Sequence, residues 1–229
     1  MIKHALIIIL GIIPFLSEGN EGFFLKNKGQ LPDNVLYHAR LNYGNFYLEK
    51  DGFKILVLDP KEFDNAIGHD AHHNHLKSRH ESSNNVSGHV FTLKFNNANE
   101  LDFGSESSKL SFKVSSFIGN DSSKWVSDLI PIQEIVIPNL YEGIDIKLSF
   151  NESSIKYDFI VYPGANPNDI EISYDGLENI RHIKNKLILV TSVGNIEDSA
   201  PYSFTPDQPS DYIKTEFKKI SDNTFGIAL

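Results

Sequence analysis

Residues 141–176 read YEGIDIKLSFNESSIKYDFIVYPGANPNDIEISYDG, and this stretch decides the fold that the sequence predicts. Apolar residues at 144, 146, 148 and 150 alternate with polar ones, the period of two of a strand with one buried face. The same alternation returns at 157–161 after a short polar turn, which predicts an antiparallel hairpin. Pro163-Gly164 then ends the second strand, because proline lacks a backbone donor. A third alternating run covers 170–174.

Similar runs occur along the rest of the chain. Asp51-Gly52 separates two of them and predicts a tight hairpin turn, since both residues accept positive φ. The predicted strands outside the opening stretch are 45–50, 53–58, 90–95, 110–117, 177–183, 186–191, 212–220 and 224–229. Strands at intervals of about ten residues favour an all-β fold, an antiparallel β-sandwich-like domain.

Prolines mark two further segments. Residues 130–137 are apolar and bracketed by Pro131 and Pro138, which predicts an edge or crossover strand. Residues 198–211 carry three prolines and are predicted to form an extended connector.

The composition limits the class of protein. The hydrophobic share of 40%, with 16 Phe and 9 Tyr among 229 residues, is enough for a packed core, and a single domain over 20–229 is predicted. A net charge of -9 without a basic stripe argues against nucleic acid as a partner. The chain has no cysteine, which excludes disulfides, thiolate metal sites and cysteine nucleophiles.

The amino terminus has the pattern of an export signal. Lys3 is followed by an apolar run over 5–16, and small residues at 17 and 19 predict a signal peptide over 1–19 that is cleaved before Asn20. The same pattern also allows an uncleaved anchor or a buried strand. Because no second apolar run exists, no membrane span is expected after cleavage, and the mature protein is expected to be secreted or at the cell surface, with the periplasm as the alternative.

Residues 59–88 are polar and predict a long disordered, His-rich loop. Imidazoles within this loop lie close enough in sequence to share Zn²⁺, Cu²⁺ or Ni²⁺, with Asp70 as an oxygen ligand. The candidate ligands are His69, His72, His73 and His75. Closing a flexible loop round a metal costs entropy, so a solvated loop is the favoured interpretation and no cofactor is predicted.

Aromatic residues suggest a second kind of site. Trp125 and Tyr141 are the candidates for a sugar-stacking platform, although a large aromatic residue more often packs in a core. Core packing is therefore the favoured interpretation for both side chains.

Polar residues of the opening stretch are weaker candidates. Asp145 and Asp158 lie on the polar parity of neighbouring strands and are considered as a glycosidase pair, but that parity usually faces solvent. Oxygens for Ca²⁺ are available on Asn166, Asn168 and Asp169, which also serve as turn formers. The sequence has no GxSxG elbow and no phosphate-binding glycine loop, and no enzyme activity is predicted.

Four groups of residues together resemble a known family: the amino-terminal β-rich domain of unknown function found ahead of SBBP-type β-propeller repeats in secreted or cell-surface proteins of Bacteroidota-type bacteria. The groups are Asn27-Lys28-Gly29-Gln30, Phe117-Ile118-Gly119-Asn120-Asp121 with Trp125, Tyr141-Glu142-Gly143-Ile144-Asp145, and the run from Tyr157 to Ala165. The resemblance implies export and no established catalytic residues.

These observations predict an exported, non-catalytic β-sandwich module with a structural or adhesive role at the cell envelope or surface. Its expected partners are cell-surface proteins or glycans. The main alternative is a carbohydrate-binding module, and a weaker one is a metal-binding periplasmic protein that acts through the histidine loop.

Overall fold

A computed structural model describes residues 5–12, 22–67, 85–151 and 154–229. These residues form twenty β-strands, one α-helix and two 3₁₀ turns, Ser122–Lys124 and Pro167–Asp169. The elements are β1 Leu6–Ile12, β2 Phe24–Lys26, β3 Val35–Leu41, β4 Gly44–Glu49, β5 Gly52–Leu58, α1 Pro60–Ile67, β6 Gly88–Phe95, β7 Ser105–Lys109, β8 Val114–Ser116, β9 Val126–Leu129, β10 Ile132–Tyr141, β11 Ile144–Asn151, β12 Ser154–Val161, β13 Glu171–Asp175, β14 Asn179–Ile183, β15 Lys186–Thr191, β16 Gly194–Asp198, β17 Tyr202–Thr205, β18 Gln208–Ile213, β19 Glu216–Lys219 and β20 Thr224–Ala228. The predicted all-β fold is confirmed.

The strands make two antiparallel layers. The first runs β7-β10-β11-β12-β1-β17-β18, and the second runs β2-β3-β4-β5-β6-β13-β20-β19. The β14-β15-β16 meander joins the first layer where Asp198 pairs with Ile12 of β1. The layers also meet at a strand pairing between Phe24 and Ile132.

Aromatic side chains pack between the two layers. Phe53 of β5 lies 5.6 Å from Tyr157 of β12, and Phe95 of β6 lies 5.8 Å from Phe159, both edge to face. All four rings are buried, and edge-to-face contact adds to the free energy gained from burying their area. The core therefore lies between the sheets, as in a sandwich.

The hairpin predicted from the opening stretch is confirmed. β11 and β12 pair antiparallel in one continuous register, with Ile146 opposite Phe159 and both fully buried. The Asp51-Gly52 turn is confirmed as well, since it connects β4 to β5 and Gly52 has a φ of 144°.

The strand predicted at 130–137 is confirmed, but its placement at a sheet edge is wrong. β10 is an interior strand that pairs with β11 on one side and with β7 on the other. Pro131 precedes the strand, and Pro138 falls where the β10–β11 register is irregular, so neither proline interrupts the regular ladder.

The connector predicted at 198–211 is also wrong, because β17 and most of β18 lie within it. Pro201 and Pro206 lie just outside β17, and Pro209 lies in β18, whose residues are all exposed. An exposed strand at the end of a layer can accept proline because one side of its backbone needs no ladder partner.

Helix α1 occupies part of the predicted loop at 59–88. It begins where the Asp59 carboxylate accepts a hydrogen bond from the Glu62 amide at 2.9 Å, with Pro60 as the first helical residue. The ring of Phe63 packs edge to face against Tyr43 at 5.8 Å, which holds the helix on the sheet. Residues 68–84, which include the predicted histidine ligands, lie outside the described residues. No helix in the described ranges is long and apolar enough to cross a bilayer.

Residues 6–12 of the apolar run predicted to be part of a signal peptide form β1, between β12 and β17. Leu6, Ile8 and Leu10 are at most 1% exposed and belong to the core. This arrangement corresponds to the buried strand that the sequence allows for these residues; the signal peptide stays a prediction.

Candidate functional site

Residues 110–131, between β7 and β10, form an arm with a small sheet of its own. β8 and β9 pair antiparallel in this arm, with Val114 opposite Leu129. At its base the Leu110 amide donates a hydrogen bond to the Pro131 carbonyl at 3.0 Å. The arm is therefore a closed excursion from the first layer.

Five large apolar side chains are exposed on this arm, and three of them lie in the connection between β8 and β9. Phe117 is 62% exposed, Ile118 75% and Trp125 46%. The rings of Phe117 and Trp125 touch edge to face, with centroids 5.8 Å apart. These three residues are called the apolar tip below. Clustered exposed apolar side chains are typical of contact surfaces.

The backbone of the tip is held by local hydrogen bonds. The Trp125 indole donates from Nε1 to the Gly119 carbonyl at 3.2 Å, which fixes the plane of the ring. The Asp121 carboxylate accepts from the Ser123 hydroxyl at 2.6 Å and from the Ser123 amide at 3.1 Å. The Ser123 hydrogen bonds lower the pKa of Asp121, so an ionised carboxylate lies beside the apolar tip.

The motif at Asn27 has a structural role. Its side-chain amide donates to three backbone carbonyls, of Leu31, Pro32 and Val35, and its Oδ1 accepts from two backbone amides, of Gly29 and Leu31. One side chain therefore organises the whole loop between β2 and β3.

The motif around Asp145 also has a structural role. Asp145 accepts hydrogen bonds from the Asn139 amide at 2.7 Å and from the Tyr162 hydroxyl at 2.9 Å, while Gly143 has a φ of 68° in the intervening turn. Tyr162 comes from the fourth motif, so the two motifs brace one another. Turn formation and core packing account for three of the four motifs, whereas the motif at 117–125 leaves the apolar tip exposed. The tip is therefore the candidate site.

Tyr141, paired with Trp125 in the sequence analysis, lies elsewhere. It is only 5% exposed, and its hydroxyl donates to the Asn96 carbonyl at 3.1 Å. Burial raises its pKa to about 12. Part of it lines a pocket of about 360 Å³ beside Asn168 and Asp169. The structure shows no contact between Trp125 and Tyr141. Core packing is confirmed for Tyr141 but is wrong for Trp125, whose ring is exposed on the arm.

The predicted calcium ligands bond to one another. Asn166 Oδ1 accepts from the Asn168 amide at 3.2 Å, and Asn166 Nδ2 donates to Asp169 Oδ1 at 2.8 Å, which caps the 3₁₀ turn there. In the described ranges no three His, Cys, Asp or Glu side chains are placed to hold a metal ion.

A family model described as "Domain of unknown function (DUF7948)" matches residues 24–229. The chain belongs to the DUF7948 family. No curated protein and no solved structure matches it. Membership in a family of unknown function is thus confirmed, while the adjoining propeller repeats and the bacterial group stay predictions. The DUF7948 match begins at Phe24, the first residue of β2, and so leaves β1 outside.

The two carboxylates considered as a glycosidase pair are diagonal neighbours on one face of the DUF7948 sheet. Asp145 lies opposite Ile160, and Asp158 lies opposite Lys147. This diagonal arrangement implies a distance of about 7–8 Å between the Cα atoms of the two aspartates. Asp158 is only 3% exposed; its Oδ2 accepts from Lys156 at 3.0 Å, and its Oδ1 has no partner. Burial raises the pKa of Asp158, and Lys156 opposes that rise.

One carboxyl group of the DUF7948 core with a strongly raised pKa, that of Asp198, is not among the candidates that the sequence suggests. Asp198 is fully buried at the end of β16, and its Oδ2 accepts hydrogen bonds from Tyr157 at 2.9 Å and Tyr174 at 2.6 Å. Burial raises its pKa to about 7, against the two tyrosine hydrogen bonds. Its sequence context, GNIEDSAP, reads as an ordinary polar turn. No cavity reaches it among the described pockets, so it acts within the core.

Proposed function

We propose that this DUF7948 domain is an exported, non-catalytic module with a structural or adhesive role at the cell envelope or surface, and that the arm supplies its contact surface. The single observation that carries the proposal is the exposed apolar tip. It combines three large apolar side chains that the core does not use.

The arrangement of the arm supports a role in contact. Its base continues into β7 and β10, which pair with each other at one end of the first layer, so the tip is presented on a rigid support. Exposed polar side chains surround the tip, among them Asn120, Asp121 and Lys124. An apolar centre with a polar rim is the general composition of protein interfaces.

Export is supported by the charge pattern of residues 1–19 and by the resemblance described above. Export is tested by determining the amino-terminal residue of the protein recovered from the envelope and the medium of a producing bacterium. Residue Asn20 at the amino terminus is expected. An intact Met1 would contradict export with cleavage.

A second function, carbohydrate binding, is favoured by one observation. The Trp125 ring is exposed and fixed by its own hydrogen bond, and a flat ring held in place can stack on a sugar at low entropic cost. Asn120 and the Asp121 carboxylate lie close by in the chain as hydrogen-bonding groups for hydroxyls.

One experiment tests both functions. Full-length protein is applied to immobilised bacterial envelope and to a broad glycan panel, and the Trp125→Ala and Phe117→Ala variants are compared with it. Loss of a central aromatic anchor is expected to weaken binding by at least about tenfold. Tyr212→Ala is the matched control, because this tyrosine is 71% exposed but lies on β18, away from the arm.

The outcomes separate the alternatives. Binding to envelope protein that needs Trp125 supports adhesion, whereas binding to a defined glycan that needs Trp125 supports the carbohydrate-binding module. Equal binding by both arm variants and the unchanged protein would refute the assignment of the tip. Turnover of a polysaccharide that is lost in Asp145→Asn would refute the non-catalytic role.

A further inference from the structure

β1 fills a slot between two other strands of the first layer. All seven of its residues pair with β12, with Ile8 opposite Phe159, and three of them pair with β17, with Ile8 opposite Ser203. Without β1 the backbone amides and carbonyls of β12 and β17 would face each other across an open gap. This gap is called the acceptor slot below.

The strand in the acceptor slot is the one that export removes. Residues 6–12 lie within the predicted signal peptide, and the family match starts at Phe24. Cleavage before Asn20 therefore leaves the mature domain without β1. The inference below rests on the proposed export in this respect.

β1 fits the acceptor slot in shape but not in polarity. In the described part of the chain, two buried side-chain oxygens have no hydrogen-bond partner: Oδ1 of Asp158 and Oδ1 of Asp198. Both residues pair with β1, Asp158 opposite Ile9 and Asp198 opposite Ile12. The Ile9 side chain has no donor to offer. A buried carboxyl oxygen without a hydrogen-bond partner costs free energy, and packed cores normally provide such a partner.

The strand that replaces β1 must come from outside the mature domain. Residues 20–229 contain no second continuous apolar run that matches 6–12. The segment at 68–84, GHDAHHNHLKSRHESSN, has only Ala71 and Leu76 as apolar side chains and cannot supply the aliphatic side chains of a core strand.

We propose that the acceptor slot binds a β-strand of a partner protein after export. The partner strand runs antiparallel to β12 and carries aliphatic side chains at the positions of Leu6, Ile8 and Leu10. At the position of Ile9 it carries a hydrogen-bond donor that reaches Asp158. Main-chain hydrogen bonds to β12 and β17 provide affinity, and the side-chain positions provide selectivity.

The polarity of the acceptor slot is tested in the full chain, produced without export. Ile9→Thr and Ile9→Val have nearly the same shape, but only threonine carries a donor. In an apolar site the threonine variant is the less stable one, because its hydroxyl is buried without a partner. Opposite Asp158, however, the threonine hydroxyl has an acceptor. The threonine variant is therefore expected to be more stable than the valine variant, with an unfolding equilibrium constant at least about threefold lower. A less stable threonine variant would overturn the proposal.

Binding in trans is tested with a chain that carries a protease site between residues 13 and 21. After cleavage and urea denaturation, the amino-terminal fragment is removed and the remainder is refolded with a labelled peptide of residues 6–12 flanked by lysines. The uncut chain, refolded in parallel, shows that the conditions permit folding. We expect one bound peptide per chain, recovery of cooperative unfolding, and tighter binding of the peptide with Ile9→Thr than of that with Ile9→Val.

A peptide with Ile8→Asp is the control, since this change places a charge in the core, and it is expected not to bind. Failure of the cut chain to bind the peptide while the uncut chain refolds would overturn the proposal, as would equal binding of the Ile8→Asp peptide. Export is judged separately from the amino terminus of the secreted protein, so the failure of one inference is distinguishable from the failure of the other.

Discussion

Replacing Asp198 by asparagine is expected to remove much of the pH dependence of stability. The folded state holds a proton on this buried carboxyl with a pKa of about 7, compared with 3.8 for an ordinary aspartate. A proton that binds more tightly to the folded state than to the unfolded state stabilises the folded state. This stabilisation is largest below the lower of the two pKa values. That stabilisation is lost as the pH rises towards 7 and is absent above it.

The size of the effect follows from the two pKa values. Each pKa unit corresponds to about 1.4 kcal/mol. Integrating proton binding between pH 5 and pH 8 gives a loss of about 2–3 kcal/mol in the free energy of unfolding from Asp198 alone. The amide of Asp198→Asn does not ionise, so the variant is expected not to show this pH-dependent loss of stability. Tyr157 and Tyr174 can still donate hydrogen bonds to the amide oxygen. Other titrating groups contribute equally to both proteins.

The assay is urea denaturation of the full chain at pH 5, 6, 7 and 8, followed by far-UV circular dichroism. Trp125 is a poor reporter, because it is exposed on the arm. The slope of the free energy of unfolding against urea concentration must be the same for both proteins at each pH for their stabilities to be compared. Asp211→Asn, an exposed change in β18, is the control and is expected to leave the pH profile unchanged. Equal pH profiles of Asp198→Asn and the unchanged chain would refute the reasoning.

Two further predictions concern turns. Gly52→Ala is expected to destabilise the fold by more than about 2 kcal/mol, because a Cβ there lies 2.1 Å from the Leu93 carbonyl oxygen at a φ of +144°. Gly29→Ala is its control: its φ is also positive but the space is open, and about 1 kcal/mol is expected in thermal or urea unfolding. Asn27→Ala removes five hydrogen bonds and is expected to cost about 1–3 kcal/mol in urea unfolding, whereas its exposed neighbour Lys28→Ala is expected to cost almost nothing; equal effects would contradict the role given to Asn27.

The sequence predicts those strands whose two faces meet different environments. β11 alternates along its whole length and β12 from Ile155 to Phe159, because one face packs on the core and the other carries charges such as Lys147 and Lys156. Hairpin turns are equally readable, since Lys184 and Asn185 both adopt positive φ between β14 and β15. Local patterns are sufficient wherever local geometry determines the structure.

Strands at the ends of the layers could not be predicted in this way. β7 reads SESSK and is largely exposed, so its assignment depends on the backbone ladder to β10 and not on burial. β18 is exposed along its whole length and contains Pro209. Such strands form because a neighbour offers unpaired amides and carbonyls, which is a property of the assembled sheet.

The candidate site was predicted in part. Trp125 belongs to the arm, yet its exposure follows from the departure of residues 110–131 from the main sheet, which no local pattern shows. Asp198 gives no signal at all, because its two tyrosine partners lie 41 and 24 residues away in sequence. Long-range polar contacts in a core become visible only when the strands have been placed.

The amino-terminal run shows how one local pattern carries two meanings. A signal peptide needs continuous apolar residues to be recognised for export, and a central strand needs them because both of its faces are covered. Residues 6–12 satisfy both requirements, so their own sequence cannot distinguish a signal peptide from a core strand. The residues beside β1 do distinguish the two roles, because Asp158 and Asp198 each leave an oxygen without a hydrogen-bond partner there. A permanent core strand would be expected to satisfy these oxygens, and this mismatch favours a different strand in the mature protein.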